Sequence, residues 1–120
     1  MQFDKDIAGK FSELFLKLRT VIMSFEEMSE LKNAHQTSYR DGYGRVICIL
    51  RTDADKLTWV LGQGAKLEDK YPFLEGNGKI VRHLYFKKLD EINEDLIREI
   101  LKESFILNIE AVELKKLRKR

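Results

Sequence analysis

Hydrophobic residues at the start of the chain recur every three or four positions, as Phe11, Phe15 and Leu18 illustrate. This spacing puts the apolar side chains on one face and predicts a helix over residues 3–24. Gly9 inside it costs about 1 kcal/mol relative to alanine, which the rest of the pattern outweighs. The polar residues predicted on the opposite face are Lys5, Asp6, Lys10, Glu13 and Lys17.

Further along the chain, β-branched runs and turn residues replace the helical spacing. They predict four strands, over residues 33–39, 45–51, 57–61 and 79–87. A loop over residues 63–77 joins the third strand to the fourth. Loops of this length in compact domains are usually functional or packed by their own side chains.

The last predicted element is a helix over residues 93–118, capped by Asp90 or Asn93, with a break near Asn108. Its inner face consists of Leu96, Ile97, Ile100 and Leu101, and the pattern continues less regularly through Phe105, Ile109 and Val112. The order is therefore α-β-β-β-β-α. Short links predict an α+β fold, in which a four-stranded antiparallel meander is flanked by N- and C-terminal helices in a single domain, residues 1–120. We expect both helices on one side of the sheet.

Both faces of the predicted sheet carry apolar side chains. Ile47 and Ile49 are predicted on the face opposite to the other apolar residues of their strand, and Val60 on the face opposite to Trp59. A sheet face turned away from the helices is normally polar. We therefore expect the loop 63–77, a second subunit in a homodimer or a ligand to cover this second face.

Composition narrows the class of protein. Hydrophobic residues make up 43% of the chain and charged residues 35%, which is typical of a globular domain. No apolar run approaches the roughly 18 residues that span a bilayer, and the charged N-terminus does not resemble a secretory signal. The single cysteine, Cys48, lies in an apolar run and predicts a buried thiol in a reducing, cytoplasmic location.

The positive charge is concentrated at the C-terminus. Five of the 22 basic residues lie in the last six positions, KKLRKR, whereas the remainder of the chain is mildly acidic. Nucleic-acid-binding domains carry basic stripes over their folded surface, so this distribution argues against a nucleic-acid partner. A basic run at a helix end also complements the helix dipole.

The one place where glycines and clustered polar groups coincide is the entry to the predicted fourth strand. The candidate ligand-binding residues there are Gly76, Gly78, Lys79, Arg82 and His83. A Gly-Asn-Gly turn would expose backbone amides to an anion, with cations beside it. We expect Gly76 or Gly78 to have a positive φ. The alternative is structural: Arg82 pairs with a carboxylate and His83 packs against Tyr85.

Several other chemistries are poorly supported. Phe73 and Ile80 occupy positions where a phosphate-binding loop requires Gly and Ser or Thr. With two histidines and one cysteine, a closed zinc site would need unusual ligands. Carboxylates on the two helices could attract a hard cation, but lysine and arginine are interleaved with them, and a solvated helix face is the simpler interpretation. We predict no catalytic residues, no metal ligands and no cofactor.

The run Leu74-Glu75-Gly76-Asn77-Gly78-Lys79, followed by Arg82-His83, resembles the YdhG-like family, a domain family of unknown function. The resemblance extends over residues 28–104. It implies a compact α/β domain, and some members have been likened in fold to frataxin and proposed as iron carriers. The first strand differs, because Ser38–Gly42 lacks the proline that many members have there.

These observations together favour a non-enzymatic binding or carrier domain for a small anion or a metal ion. The first alternative is a homodimeric or protein-interaction module without a small-molecule ligand. The second is an enzyme that acts on a small anionic metabolite. No membrane partner is expected.

Overall fold

The computed structural model describes residues 1–118. Its helices are α1 (Gln2–Ala8), α2 (Ser12–Met23), α3 (Gly64–Leu67) and α4 (Glu94–Arg118). Its strands are β1 (Ser29–Lys32), β2 (Thr37–Arg40), β3 (Val46–Thr52), β4 (Leu57–Leu61) and β5 (Arg82–Phe86). A 3₁₀ turn at Leu89–Glu91 precedes α4.

The strands form one antiparallel meander in the order β1-β2-β3-β4-β5. This arrangement confirms the α+β class and the antiparallel sheet with flanking helices. The predicted number of four strands was wrong, because the structure has five.

The missing strand is β1, which lies in the Ser- and Glu-rich segment after the first helices. The predicted strand 33–39 begins too early, because its first four residues form the β1–β2 turn. Asn33 makes this turn: its side-chain oxygen accepts hydrogen bonds from the backbone N–H of His35 at 2.8 Å and of Gln36 at 2.9 Å. Asparagine side chains commonly bond to backbone groups two residues on in this way, which favours a turn over a strand.

The predicted helix 3–24 is two helices, α1 and α2. The chain is extended at Gly9, with φ −91° and ψ −172°, and a new helix begins at Ser12. Asp6, which we predicted on the solvent face, is fully buried. Its carboxylate accepts hydrogen bonds from the Thr52 hydroxyl at 2.6 Å and from the Thr52 backbone N–H at 3.1 Å. The break lets α1 turn so that Asp6 reaches the end of β3.

The predicted strand 79–87 is also shorter in the structure. Residues 79–81 belong to the preceding turn, where the Ile80 carbonyl accepts a hydrogen bond from Ala65 of α3 at 2.8 Å. That contact ties the chain to α3 instead of to the neighbouring strand. The predicted loop 63–77 is also not entirely irregular, because it contains the short helix α3.

Helix α4 begins as predicted and then continues without the predicted break. Asn93 caps it, because its side-chain oxygen accepts a hydrogen bond from the Leu96 N–H at 3.1 Å. Asp90, the other candidate cap, lies in the 3₁₀ turn. Asn108 is buried within the helix, and its amide donates to Asp41 Oδ2 at 3.2 Å and to the Val46 carbonyl at 3.3 Å. Both donors of the buried amide thus have partners. Asn108 therefore links α4 to the β2–β3 segment, and the helix continues past this residue.

The hydrophobic core lies between the helices and one face of the sheet. Helices α1, α2 and α4 all contact β3, and α2 contacts α4. The buried cluster includes Phe11, Phe15 and Leu18 from the N-terminal segment together with Ile97, Ile100 and Leu101 from α4. This is the packing predicted for the two amphipathic segments. Within residues 1–118, the helices are too short or too polar to cross a membrane.

Candidate functional site

The predicted glycine turn is present at the entry to β5. Gly76 has φ +119°, a conformation that favours glycine, whereas Gly78 does not have a positive φ. The prediction that one of the two would do so is confirmed by Gly76. Glu75 and His83 exchange two backbone hydrogen bonds of 2.9 Å, and a side chain at position 76 would meet the His83 ring at 3.2 Å. The turn therefore folds back directly over His83.

Arg82 is held inside the protein instead of being presented to solvent. Its side chain is 11% exposed and forms an ion pair with Glu68, just after α3. Its guanidinium also donates to the carbonyls of Gly78 and Val81, with the latter at 2.9 Å. Arg82 thus joins α3, the turn and β5, and three of its five donor positions have partners within the protein.

Lys79 and His83 do not converge with Arg82. Lys79 is exposed in the turn, with no ion pair among residues 1–118. His83 is half-buried, and its ring lies against the Tyr85 ring with centroids 4.9 Å apart. Arg82 pairs with Leu61 of β4, whereas His83 pairs with Val60, so these two side chains lie on opposite faces of the sheet. The cluster therefore separates into the exposed Lys79, the internal Arg82–Glu68 ion pair and the His83 ring, which is tilted against the Tyr85 ring.

A concave surface lies away from the glycine turn, between the middle of α4 and the β2–β3 turn. We call it the α4 groove and define it by its main apolar residues, Phe25, Tyr43, Phe105, Ile106 and Ile109. Its volume is about 670 Å³. Tyr43 is 57% exposed, Ile106 54% and Ile109 46%. Pockets of this size lined by apolar side chains are typical ligand or partner sites.

Local interactions of the β2–β3 turn set one wall of the groove. Asp41 is buried, and its Oδ1 accepts hydrogen bonds of 2.9 Å from the backbone N–H groups of Tyr43 and Arg45. Its Oδ2 accepts the Asn108 amide. The same carboxylate therefore closes the turn, binds it to α4 and leaves the Tyr43 ring exposed.

The floor of the groove comes from α2 and α4. Phe25 follows the end of α2, and its ring packs against the Phe105 ring with centroids 5.4 Å apart. Ile106 and Ile109 follow on the same side of α4 at helical spacing. These two exposed side chains continue the apolar surface from the floor toward solvent.

Helix α4 extends beyond the body of the protein. It has 25 residues, which corresponds to about 37 Å at 1.5 Å per residue. The last buried residue is Asn108, and residues 109–118 contain no buried side chain. Short isolated helices are marginally stable in water, so burial of the exposed isoleucine and leucine side chains would stabilise this projecting part of α4.

The second sheet face, within residues 1–118, also carries apolar side chains that are partly exposed. Neighbouring strands align Leu31, Ser38, Ile49, Val60 and His83 in one row. Leu31 is 50% exposed, whereas Ile49 and Val60 are half-buried. Gly76 of the predicted loop 63–77 lies against the His83 ring at one end of this row. We call this row the open sheet face.

Cys48 is fully buried, and burial raises the pKa of its thiol to about 12. A thiol in this state is inert as a nucleophile or a metal ligand at neutral pH, which agrees with the predicted buried side chain. Among residues 1–118, no three or more His, Cys, Asp or Glu side chains cluster in a way that could hold a metal ion.

The sequence interpretation did not identify the α4 groove. Phe105, Ile109 and Val112 were recognised only as a less regular continuation of the core pattern. The sequence did contain an indication of the groove. Apolar residues continue along the predicted helix farther than a small sheet can cover. No sequence pattern indicated that Tyr43 would be exposed, because its position depends on the hydrogen bonds that Asp41 accepts in the turn.

Comparisons with known proteins add no further assignment. No protein-family model matches the chain, and neither the curated proteins nor the solved structures contain a significant match.

Proposed function

We propose that this protein is a non-enzymatic interaction module that binds a helical segment of a partner protein in the α4 groove. The observation that carries the proposal is the combination of a concave apolar surface with exposed Tyr43, Ile106 and Ile109. Isolated exposed hydrophobic residues are ordinary, but contiguous apolar patches with a concave shape mark interaction sites.

The shape of the groove favours a helix as the occupant. The concave surfaces along α4 run from Lys102 to Lys116, which corresponds to about 21 Å of helix. A partner helix of about fourteen residues has the same length, and its apolar stripe would lie along Ile106 and Ile109. Amphipathic helices bind hydrophobic grooves in this manner through residues at i, i+3, i+4 and i+7.

Replacing Ile106 with glutamate tests this proposal. The probe is a labelled amphipathic peptide of about fourteen residues with leucine at i, i+3, i+4 and i+7 spacing. We expect Ile106→Glu to weaken binding by at least about tenfold in fluorescence polarisation, because complex formation would bury an unpaired charge. Leu31→Glu is the matched control, since Leu31 is similarly exposed on the open sheet face.

Equal affinity of the wild type and Ile106→Glu, or no peptide binding, would contradict the proposal. The homodimer predicted through the second sheet face has a different readout. A dimeric mass in light scattering that Leu31→Glu converts to a monomeric mass would favour the open sheet face as the interaction surface.

A small-anion site at the glycine turn is the second candidate, and the positive φ of Gly76 beside the exposed Lys79 favours it. If this site exists, millimolar phosphate or citrate raises the melting temperature according to concentration over Kd. We expect Lys79→Ala to abolish that rise, while the unliganded stability changes by less than about 0.5 kcal/mol. Ferrous iron in the same screen tests the carrier hypothesis. A rise unaffected by Lys79→Ala would place the ligand elsewhere.

Membership of the YdhG-like family is likewise a proposal, supported by the Leu74–Lys79 run and Arg82-His83. A cytoplasmic location is also a proposal, and it is supported by the single cysteine, Cys48, which is buried and forms no disulfide.

A further inference from the structure

A second concave surface adjoins the α4 groove and differs from it in charge. It is lined by Tyr43, Arg45, Val112, Lys115 and Lys116 and has a volume of about 370 Å³. Tyr43 lines both surfaces, so the basic surface is directly adjacent to the apolar groove. We call this second surface the basic end of the groove.

The basic end is not explained by the helix dipole alone. Lys115 and Lys116 lie in the last turns of α4, where cations complement the dipole. Arg45 comes from the β2–β3 turn and lines the same surface, although it is not part of a helix and therefore does not complement the dipole. Among residues 1–118, Lys116 pairs with Glu113 at 3.4 Å, whereas Arg45 and Lys115 have no ion pair.

The acidic residues along the surface do not cancel this charge. The two surfaces are lined by four basic residues, Lys102, Arg45, Lys115 and Lys116, and by two acidic residues, Glu27 and Asp41. Asp41 is buried and already accepts three hydrogen bonds. A bound segment would therefore meet mainly positive charge at one end and apolar side chains along the rest.

We infer that the partner segment is an acidic amphipathic helix, with its carboxylates over Arg45 and Lys115 and its apolar stripe over Ile106 and Ile109. This inference rests on the proposed function and specifies its partner class. Complementary charges of this kind fix the orientation of a partner and raise its association rate.

Charge also disfavours a second copy of this chain whose α4 lies parallel in the groove. The projecting end of α4 carries Lys115, Lys116 and Arg118. A second α4 laid parallel to the first along the groove would bring these cations toward the basic end of the first molecule. Like charges placed opposite each other oppose association.

The concave shape distinguishes a helix from an anionic membrane. A bilayer surface binds amphipathic helices that present a continuous exposed apolar face. Here Phe25 and Phe105 form a recessed floor beneath Tyr43 and the isoleucines, which a projecting helix ridge can reach and a flat surface cannot. The test nevertheless includes vesicles with anionic lipid.

The experiment compares two peptides of about fourteen residues that share the leucine spacing given above and carry either glutamate or glutamine at the same polar positions. We expect the glutamate peptide to bind about fivefold more tightly at low salt, with the difference shrinking as screening increases toward 0.5 M salt. Arg45→Glu should remove this preference. Arg51→Glu is the control, because it makes the same charge change on an exposed residue of β3.

Each outcome has a distinct meaning. Equal binding of both peptides would overturn the acidic-partner inference and leave the proposed function intact. No binding of either peptide would overturn both. Binding of anionic vesicles that Arg45→Glu abolishes, without binding of either peptide, would replace the protein partner with a membrane surface.

Discussion

Replacing Phe15 with alanine is expected to lower the free energy of unfolding by about 3–5 kcal/mol. The Phe15 ring is fully buried on α2, and the Phe3 ring packs edge-on against it with centroids 5.6 Å apart. Removing the ring leaves a cavity at the contact of α1, α2 and the sheet. The surrounding helices can close such a cavity only in part, so both the transfer energy and the packing energy of the ring are lost.

Chemical denaturation of the wild type and Phe15→Ala measures this loss. Leu16→Ala is the matched control, because Leu16 is the next residue of α2 and its side chain is exposed. We expect the control to change stability by less than about 1 kcal/mol. A loss below about 1 kcal/mol for Phe15→Ala would show that α2 does not pack against the sheet through this face.

Replacing Gly64 with alanine is expected to destabilise the protein by about 1–3 kcal/mol or more through overpacking. An added Cβ would lie 2.4 Å from Arg82 Cβ and 2.5 Å from the Arg82 backbone nitrogen. Neither atom can move without displacing β5. The substitution therefore forces α3 away from the strand and strains the ion pair between Arg82 and Glu68.

Gly42→Ala is the matched control for this substitution. No atom lies within 4 Å of an added Cβ at Gly42, and its φ is negative or extended. Alanine there should be neutral or stabilise by about 0.4–1 kcal/mol, because it reduces the freedom of the unfolded chain. Equal effects of the two substitutions in thermal denaturation would contradict the close contact between α3 and β5.

Regular periodicity was sufficient to predict much of the fold. The apolar pattern of β4 predicted that strand with its observed bounds. The three-and-four spacing around Phe15 predicted the helical conformation there, although as one helix over residues 3–24, because burial on one face leaves a repeating pattern. The errors occur where one polar side chain overrides the pattern. Asn33 turns the chain where a strand was predicted, and Asp6 is buried against Thr52 although its position in the helix pattern is polar.

The candidate site was less predictable for a related reason. Lys79, Arg82 and His83 are close together along the chain, and the structural alternative, in which Arg82 pairs with a carboxylate and His83 packs against Tyr85, agrees with the observed contacts. The identity of the carboxylate, Glu68, was not predictable, because it lies 14 residues away beside α3. The α4 groove depends on contacts over long distances in sequence. Asp41 and Asn108 are 67 residues apart, and no local pattern indicates that they meet.

The most direct test of the proposed function is NMR mapping of the leucine–glutamate peptide onto the isotopically labelled protein. We predict that the largest chemical-shift changes occur at the backbone amides of Tyr43, Ile106 and Ile109, with smaller changes toward Lys115. The amides of Gly76 to His83 and of the open sheet face should stay unchanged. Shifts concentrated at Lys79 and His83, or at Leu31 and Val60, would contradict the account.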